Sequence, residues 1–416
     1  MQSFLDILQK PTVFADRNVL SPHFVPEALP FREKHLERIM SCMSPALQGV
    51  RPRNLFIYGK TGTGKTACVR RVSEKFEALG TRARVAYLNC RTYNSRYKVM
   101  QKSLKGLVPE VDKGGFGITY FYEKMLEWVQ EGNGRFLVLV LDEVDMVKDL
   151  DELIYSLTRS NDEVSKGGVS LIGISNNLSF KDKLDPRSKS SLFESELVFE
   201  SYNASQLAKI LSDRAASGFK PGSLQQSAIS LTAAASAHET GDARYALKLL
   251  LRAGEIADES NPDPKSLPKI TDKEVELARK SIDGELAKDA IKTLPRHQQL
   301  VLLSAANLTL NGGRNKYQRL GDAQPGDGSL LSGEVFDEYC HLCREYSLEP
   351  KTSRWYREYL LDLEMLGLIS LTDSSKGFRG HTRFVRLGFP AAEVVGIIRG
   401  NLENNDFGRE ISEVEG

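Results

Sequence analysis

The chain has 416 residues, length for roughly two to four domains, with 41% hydrophobic and 27% charged residues and a formal net charge of +1. That balance describes an ordinary soluble protein and excludes a strongly basic one, so any nucleic-acid contact must come from local clusters. No apolar run of about 18 residues predicts a membrane span, the start lacks the apolar core of a secretion signal, and five cysteines, an odd number, suit a reducing cytoplasm.

The N-terminal stretch carries Pro11, Pro22, Pro26 and Pro30, which predict an extended strap rather than a helix. It reads either as a surface wrap or as a lid over a bound base. A helix follows from Phe31 to about Met43. The apolar run Asn54–Tyr58 predicts a buried strand, and an amphipathic helix follows at Ala67–Phe76. Between them lie Gly59, Lys60, Thr61, Gly62, Thr63, Gly64, Lys65 and Thr66, which satisfy the phosphate-loop pattern G-x-x-x-x-G-K-[ST] at every fixed position. Glycines let backbone N–H groups converge on phosphate oxygens without Cβ interference, and the helix N-terminus adds donors and a positive dipole end. Lys65 is expected to reach the β- and γ-phosphates of ATP, or the β-phosphate of ADP, and the Thr66 hydroxyl to ligate Mg²⁺.

Arg84–Asn89 predicts a second strand. From Arg91 to Lys105 there are five basic and no acidic residues, among them Arg96, Lys98 and Lys102. The almost continuously apolar run Arg135–Leu141 predicts a strand buried on both faces of a parallel sheet. It delivers Asp142 and Glu143 to the carboxyl end of the sheet, where such sheets bind ligands. Asp142 is expected to hold Mg²⁺ through water, and Glu143 to orient the attacking water. Val169–Ser175 is the next strand. Asn176, just beyond it, has an amide able to donate and accept, suited to sensing a γ-phosphate. Arg187 precedes a helix and is placed to reach the γ-phosphate of a neighbouring subunit, as an arginine finger does. Glu196–Phe199 closes the series, and the alternation predicts an α/β fold with helices on both faces of the sheet.

From Ser205 the pattern is helical, with no strand expected before Leu368. A helix starting at Gly241-Asp242-Ala243-Arg244 would bring Arg244 over the nucleotide. The domain boundaries read as 1–202, a nucleotide-binding domain with the strap; 203–285, a helical lid; 286–400, a C-terminal domain; and 401–416, an acidic tail expected to lack order. Cys340 and Cys343 supply half the spacing of a zinc site, but their second pair is missing and the run reads as helix. The C-terminal domain reads as a winged helix, with helices at Leu294–Ala306, Ser332–Tyr346 and Thr352–Leu366 and a hairpin of Leu368–Thr372 with Thr382–Leu387. Arg354 and Arg357 fall on the outer face of its third helix, suited to the major groove. Lys376, Arg379, His381 and Arg383 fall on a wing with no acidic residue from Ser374 to Ala392.

This ordered set of motifs resembles the AAA+ ATPases. Within them the chain looks like the archaeal replication initiators related both to the first origin-recognition-complex subunit and to the cell-division-cycle-six loader. The strap carries the resemblance further, through Val19-Leu20-Ser21-Pro22 and Val25-Pro26-Glu27-Ala28-Leu29-Pro30, then Arg32-Glu33; Phe31 departs from it, where histidine is usual. The resemblance implies nucleotide contacts from Val25, Arg32, Tyr202 and Arg214. It also makes the basic stretch around Arg96, Lys98 and Lys102 a helical insertion that touches duplex DNA, with a solvated basic helix as the plainer reading. It implies an AAA+ P-loop sheet, a helical lid and a winged helix that together bind ATP and origin duplex DNA. Further implied are slow, regulatory hydrolysis, recruitment of an MCM-type replicative helicase, paralogous initiator subunits as partners, and a cytoplasmic, nucleoid-associated location. A branch-migration-type DNA motor and a nucleotide-switched transcription regulator are the alternatives.

Overall fold

The computed structural model describes residues 11–414, apart from 23, 81, 114, 178–179, 181–183, 193–194, 262, 264–265, 312–328 and 374–382. Its elements begin inside the strap, where α1 (Arg17–Leu20) forms a single turn. The proline pattern did not predict this turn. It exists because Asp16 accepts the Asn18 N–H at 2.9 Å and satisfies a helix-start donor. Then come α2 (Glu33–Met43), β1 (Leu55–Tyr58), α3 (Lys65–Ala78), β2 (Ala83–Asn89), α4 (Arg96–Leu104), α5 (Ile118–Gln130), β3 (Phe136–Asp142), α6 (Leu150–Glu163), β4 (Gly168–Ser175), α7 (Pro186–Leu192) and β5 (Glu196–Val198). The five strands are parallel in the order β2-β3-β4-β1-β5.

Every residue of β3 and of β4 is buried, as central strands covered on both faces require. Leu137, Leu139 and Leu141 pack with Met100, Phe121 and Leu153 from α4–α6. Val138 and Val140 point the other way, to Cys68, Val69 and Val72 of α3 and Ile39 of α2. Register then sets the site. Asn89 pairs with Asp142, Asp142 with Ile174, and Tyr58 with both Ser175 and Val198. All five strands therefore end at one rim.

The lid consists of α8 (Ala204–Gly218), α9 (Gln226–Glu239), α10 (Ala243–Glu259) and the start of α11 (Asp272–Thr293). The base of the strap is stitched to it. Asp258 accepts hydrogen bonds from the Thr12 hydroxyl and the Val13 N–H, and Phe14 stacks on Phe219 at 5.3 Å. The described residues up to Ala278 form one compact unit and those from Arg279 a second, the division falling within α11.

The second unit contains α12 (Arg296–Leu310), β6 (Leu330–Leu331), α13 (Ser332–Glu345), α14 (Ser353–Met365), β7 (Ile369–Asp373), β8 (Arg383–Leu387) and α15 (Ala391–Val414). Its antiparallel sheet has the order β6-β8-β7. The two residues of β6 were not anticipated; so short a strand leaves no alternation to read. Tyr356, Leu360 and Leu363 face the core, as expected, beside Val335, Leu342 and Cys343. The segment from Asn401, expected to lack order, continues α15 as far as Val414.

Candidate nucleotide site

A cavity of about 590 Å³ lies at the strand-end rim, walled by the phosphate loop, Asp142 and Glu143, the strap from Val19 to Pro30, and the lid residues Arg214, Arg244 and Leu247. The loop's glycines are demanded by close approach. Gly59 has φ +153°, and a Cβ there would meet the Phe199 carbonyl oxygen at 2.2 Å. At Gly62, φ +66°, a Cβ would fall 1.4 Å from Asp242 Oδ1. Asp242 also caps α10 by accepting the Arg244 and Tyr245 N–H groups, while the Ala243 N–H donates to the Gly62 carbonyl. The lid therefore starts against the phosphate loop itself, a tie that sequence reading missed because it looked only for charge at Arg244.

Lys65 opens α3, and its Nζ donates to the carbonyls of Gly59 and Lys60, each at 2.6 Å. Burial pulls its pKa down to about 8, opposed by the Asp142 carboxylate. Thr66 Oγ1 donates to Asp142 Oδ2 at 2.8 Å. One hydroxyl and one carboxylate, adjacent at the mouth of a phosphate loop, form the oxygen-rich and incomplete donor set that fits Mg²⁺, which keeps several waters and phosphate oxygens as ligands. Glu143 sits in the left-handed region at φ +56°. Its Oε2 accepts from Arg91 Nε at 2.7 Å, so a side chain read as part of a basic patch instead holds the expected water-orienting group. Asn176 lines the cavity, as do Tyr202 and Val25.

Two of the expected residues, Arg32 and Arg214, hold protein carbonyls in this structure. Arg32 is buried, but it does not line the cavity. Its Nε donates to the Thr63 carbonyl at 2.9 Å and its Nη2 to the Glu200 carbonyl at 2.7 Å, and its guanidinium carbon lies 3.9 Å from the Tyr202 ring centroid. It braces the back of the phosphate loop. Arg214 does line the cavity, but its guanidinium donates to the Val19 carbonyl at 2.7 Å and the Phe24 carbonyl at 2.9 Å, both in the strap. Arg187, expected to act on a neighbouring subunit, lies outside this cavity and lines a second one of about 410 Å³ with Arg51 and Arg159.

Comparison with known proteins matches these parts in turn. An AAA domain model matches residues 50–180, a Cdc6 AAA+ ATPase-type lid domain 208–280, and a CDC6 C-terminal winged helix domain 289–396. An ORC1-type DNA replication protein of Pyrococcus abyssi is 37% identical over 406 residues, 95% of this chain and 92% of the relative. The chain belongs to the ORC1-type DNA replication protein family. A further member, the ORC1-type DNA replication protein 1 of Archaeoglobus fulgidus, is 36% identical over 93% of this chain and 91% of its own length. Among solved structures, the Aeropyrum pernix ORC1 protein in complex with DNA superposes with a TM-score of 0.69 at 35% identity, over 96% of this chain and 98% of that one. The Aeropyrum pernix ORC2 protein, solved as ADPNP-ADP complexes, gives 0.57 at 21% identity over 94% and 99%, a likeness of fold alone.

On the winged helix of this family member, Arg354 and Arg357 are exposed on α14, and Arg383 is exposed at the start of β8. Lys376, Arg379 and His381 lie outside the described residues. In the first unit Lys98 is exposed on α4, whereas Arg96 is paired with Glu152 at 2.9 Å and the Lys102 ammonium lies 5.5 Å from the Tyr93 ring centroid. The inner side of α4 is committed to the core through Val99, Met100 and Leu104. No helix among the described residues is long and apolar enough to cross a membrane.

Proposed function

We propose that this family member is an ATP-dependent replication initiator that binds origin duplex DNA through its winged helix and changes its hold with nucleotide state. The observation carrying the nucleotide part is the Thr66–Asp142 hydrogen bond, which joins the phosphate loop to the acidic strand end inside a cavity roofed by strap and lid. Lys65 and the loop N–H groups bind the phosphates, and the apolar strap covers the base. Thr66 and Asp142 are the groups that would hold Mg²⁺, which supplies charge neutralisation for the phosphates when bound. Glu143 orients the attacking water once Arg91 releases it, and Asn176 and Arg244 contact the terminal phosphate. Arg187 serves the nucleotide of a neighbouring subunit. Hydrolysis is slow and acts as a switch.

The DNA part is supported by the likeness to the Aeropyrum pernix ORC1 protein solved with DNA. Arg354, Arg357 and Arg383 contact the duplex, with Lys376, Arg379 and His381 on the wing and the α4 face around Lys98, Arg96 and Lys102 as a second contact. Bound at an origin in the cytoplasm, and with paralogous subunits where these exist, the chain recruits the MCM-type helicase. The test is duplex affinity across a salt series with ATP or ADP. Arg354→Ala with Arg357→Ala is expected to weaken binding and to lower the salt slope by roughly one per lost phosphate contact. Equal affinity and slope would remove these residues from the interface.

A further inference from the structure

Asp142 is 7% exposed, and its carboxylate is held by three donors. Oδ1 accepts the Glu143 N–H at 3.1 Å, and Oδ2 accepts the Thr66 hydroxyl at 2.8 Å. The third donor is the phenol of Tyr87, also on Oδ2. No phosphate-loop or acidic-strand motif contains this residue. It belongs to β2, where it pairs with Val140 on the adjacent β3. From the α3 side of the sheet its ring reaches the strand end two residues further on. Arg70 of α3 covers that ring, its guanidinium carbon 4.6 Å from the centroid, and both Tyr87 and Arg70 line the nucleotide cavity.

We infer that Tyr87 is a positioning residue for the metal side of the nucleotide site, fixing the Asp142 carboxylate in the orientation that Thr66 and a hydrated Mg²⁺ require. The inference rests on the reading of Thr66 and Asp142 given above. Its logic is that of groups behind the ligands of a metal: a carboxylate that works through water and a neighbouring hydroxyl is only as well aimed as the donors behind it. Thr66 can keep its proton on Oδ2 while offering a lone pair to a cation, so the Thr66–Asp142 bond survives metal binding. The Glu143 N–H sets Oδ1, and Tyr87, donating from the sheet side, gives Oδ2 a second donor that holds it in place while Thr66 turns a lone pair toward the cation. A phenol keeps its proton throughout the neutral range, so Tyr87 remains a donor to the carboxylate. Arg70 holds the ring in place, and Tyr87 touches no reacting atom.

Tyr87→Phe deletes only the hydroxyl. The full chain, wild type and variant, is titrated with a fluorescent ADP in EDTA and then at increasing MgCl₂. In EDTA the two are expected to bind within about twofold of each other, whereas the variant is expected to need about tenfold or more MgCl₂ for half of the gain in affinity. A merely structural tyrosine would alter both titrations alike. A half-saturating MgCl₂ concentration equal to that of wild type would overturn the inference while leaving the site reading intact. If wild type itself gained nothing from MgCl₂, the assignment of Thr66 and Asp142 would fall, and the role of Tyr87 with it.

Discussion

Replacing Arg214 by methionine tests whether the strap works as a seated cover over the nucleotide. Arg214 is 8% exposed and spends its guanidinium on the carbonyls of Val19 and Phe24, with its charge 4.8 Å from the Phe24 ring centroid. A hydrogen bond from a charged donor contributes about 1.5–3 kcal/mol, so the pair would give roughly 3–6 kcal/mol gross. Two effects reduce this. Burial opposes the guanidinium's charge, lowering its pKa, and Phe24, 40% exposed, leaves its carbonyl able to rehydrate. About 2 kcal/mol net is a fair working figure, and methionine keeps the aliphatic stem's packing. If the strap is seated before nucleotide arrives, the loss is expected as a melting temperature lower by about 4–8 °C. If nucleotide seats it, the loss is expected as roughly thirtyfold weaker ADP binding. Differential scanning fluorimetry and fluorescent-ADP titration read the two. Wild-type affinity together with an unchanged melting temperature would refute the clamp.

Other expectations concern the phosphate end. Arg91→Ala frees Glu143 from an ion pair whose arginine is largely exposed; such pairs are weak, so basal ATP turnover should rise only about twofold to fivefold, with less effect at high salt. Glu143→Gln should retain ATP yet lose about a hundredfold or more in turnover, measured by phosphate release; wild-type turnover would remove Glu143 from the chemistry. Lys65, at about 8, lies below its ordinary 10.5. Both folded and unfolded chains carry the proton below pH 8. Between about 8 and 10.5 the unfolded chain binds more of it, so stability without nucleotide should rise with pH in that window. Phosphate needs the charged ammonium, so ADP affinity should be level up to about pH 8 and then fall by up to about tenfold per unit; an affinity level to pH 9.5 would contradict this.

The parts legible in the sequence were those set by local pattern. Gly59–Thr66 is contiguous, and Phe136–Leu141 is apolar throughout because both its faces are covered. Arg214 and Arg32 were found through a family likeness, yet what they do could not be read. Their partners are backbone carbonyls at Val19, Phe24, Thr63 and Glu200, and a carbonyl has no letter in the sequence. Tyr87 and Arg91 were missed as site residues because their link to Asp142 and Glu143 depends on β2 lying beside β3, a matter of strand order rather than spacing. The boundary read at 285/286 and the division at 278/279 both fall inside one continuous helix, where composition marks no single point.

The most direct test of the whole account is equilibrium binding of ATP with Mg²⁺ to the full chain, beside Lys65→Ala. A single saturable site in the wild type, weakened by at least about tenfold in the variant, is the expected result. No saturable binding, or binding indifferent to Lys65, would contradict it.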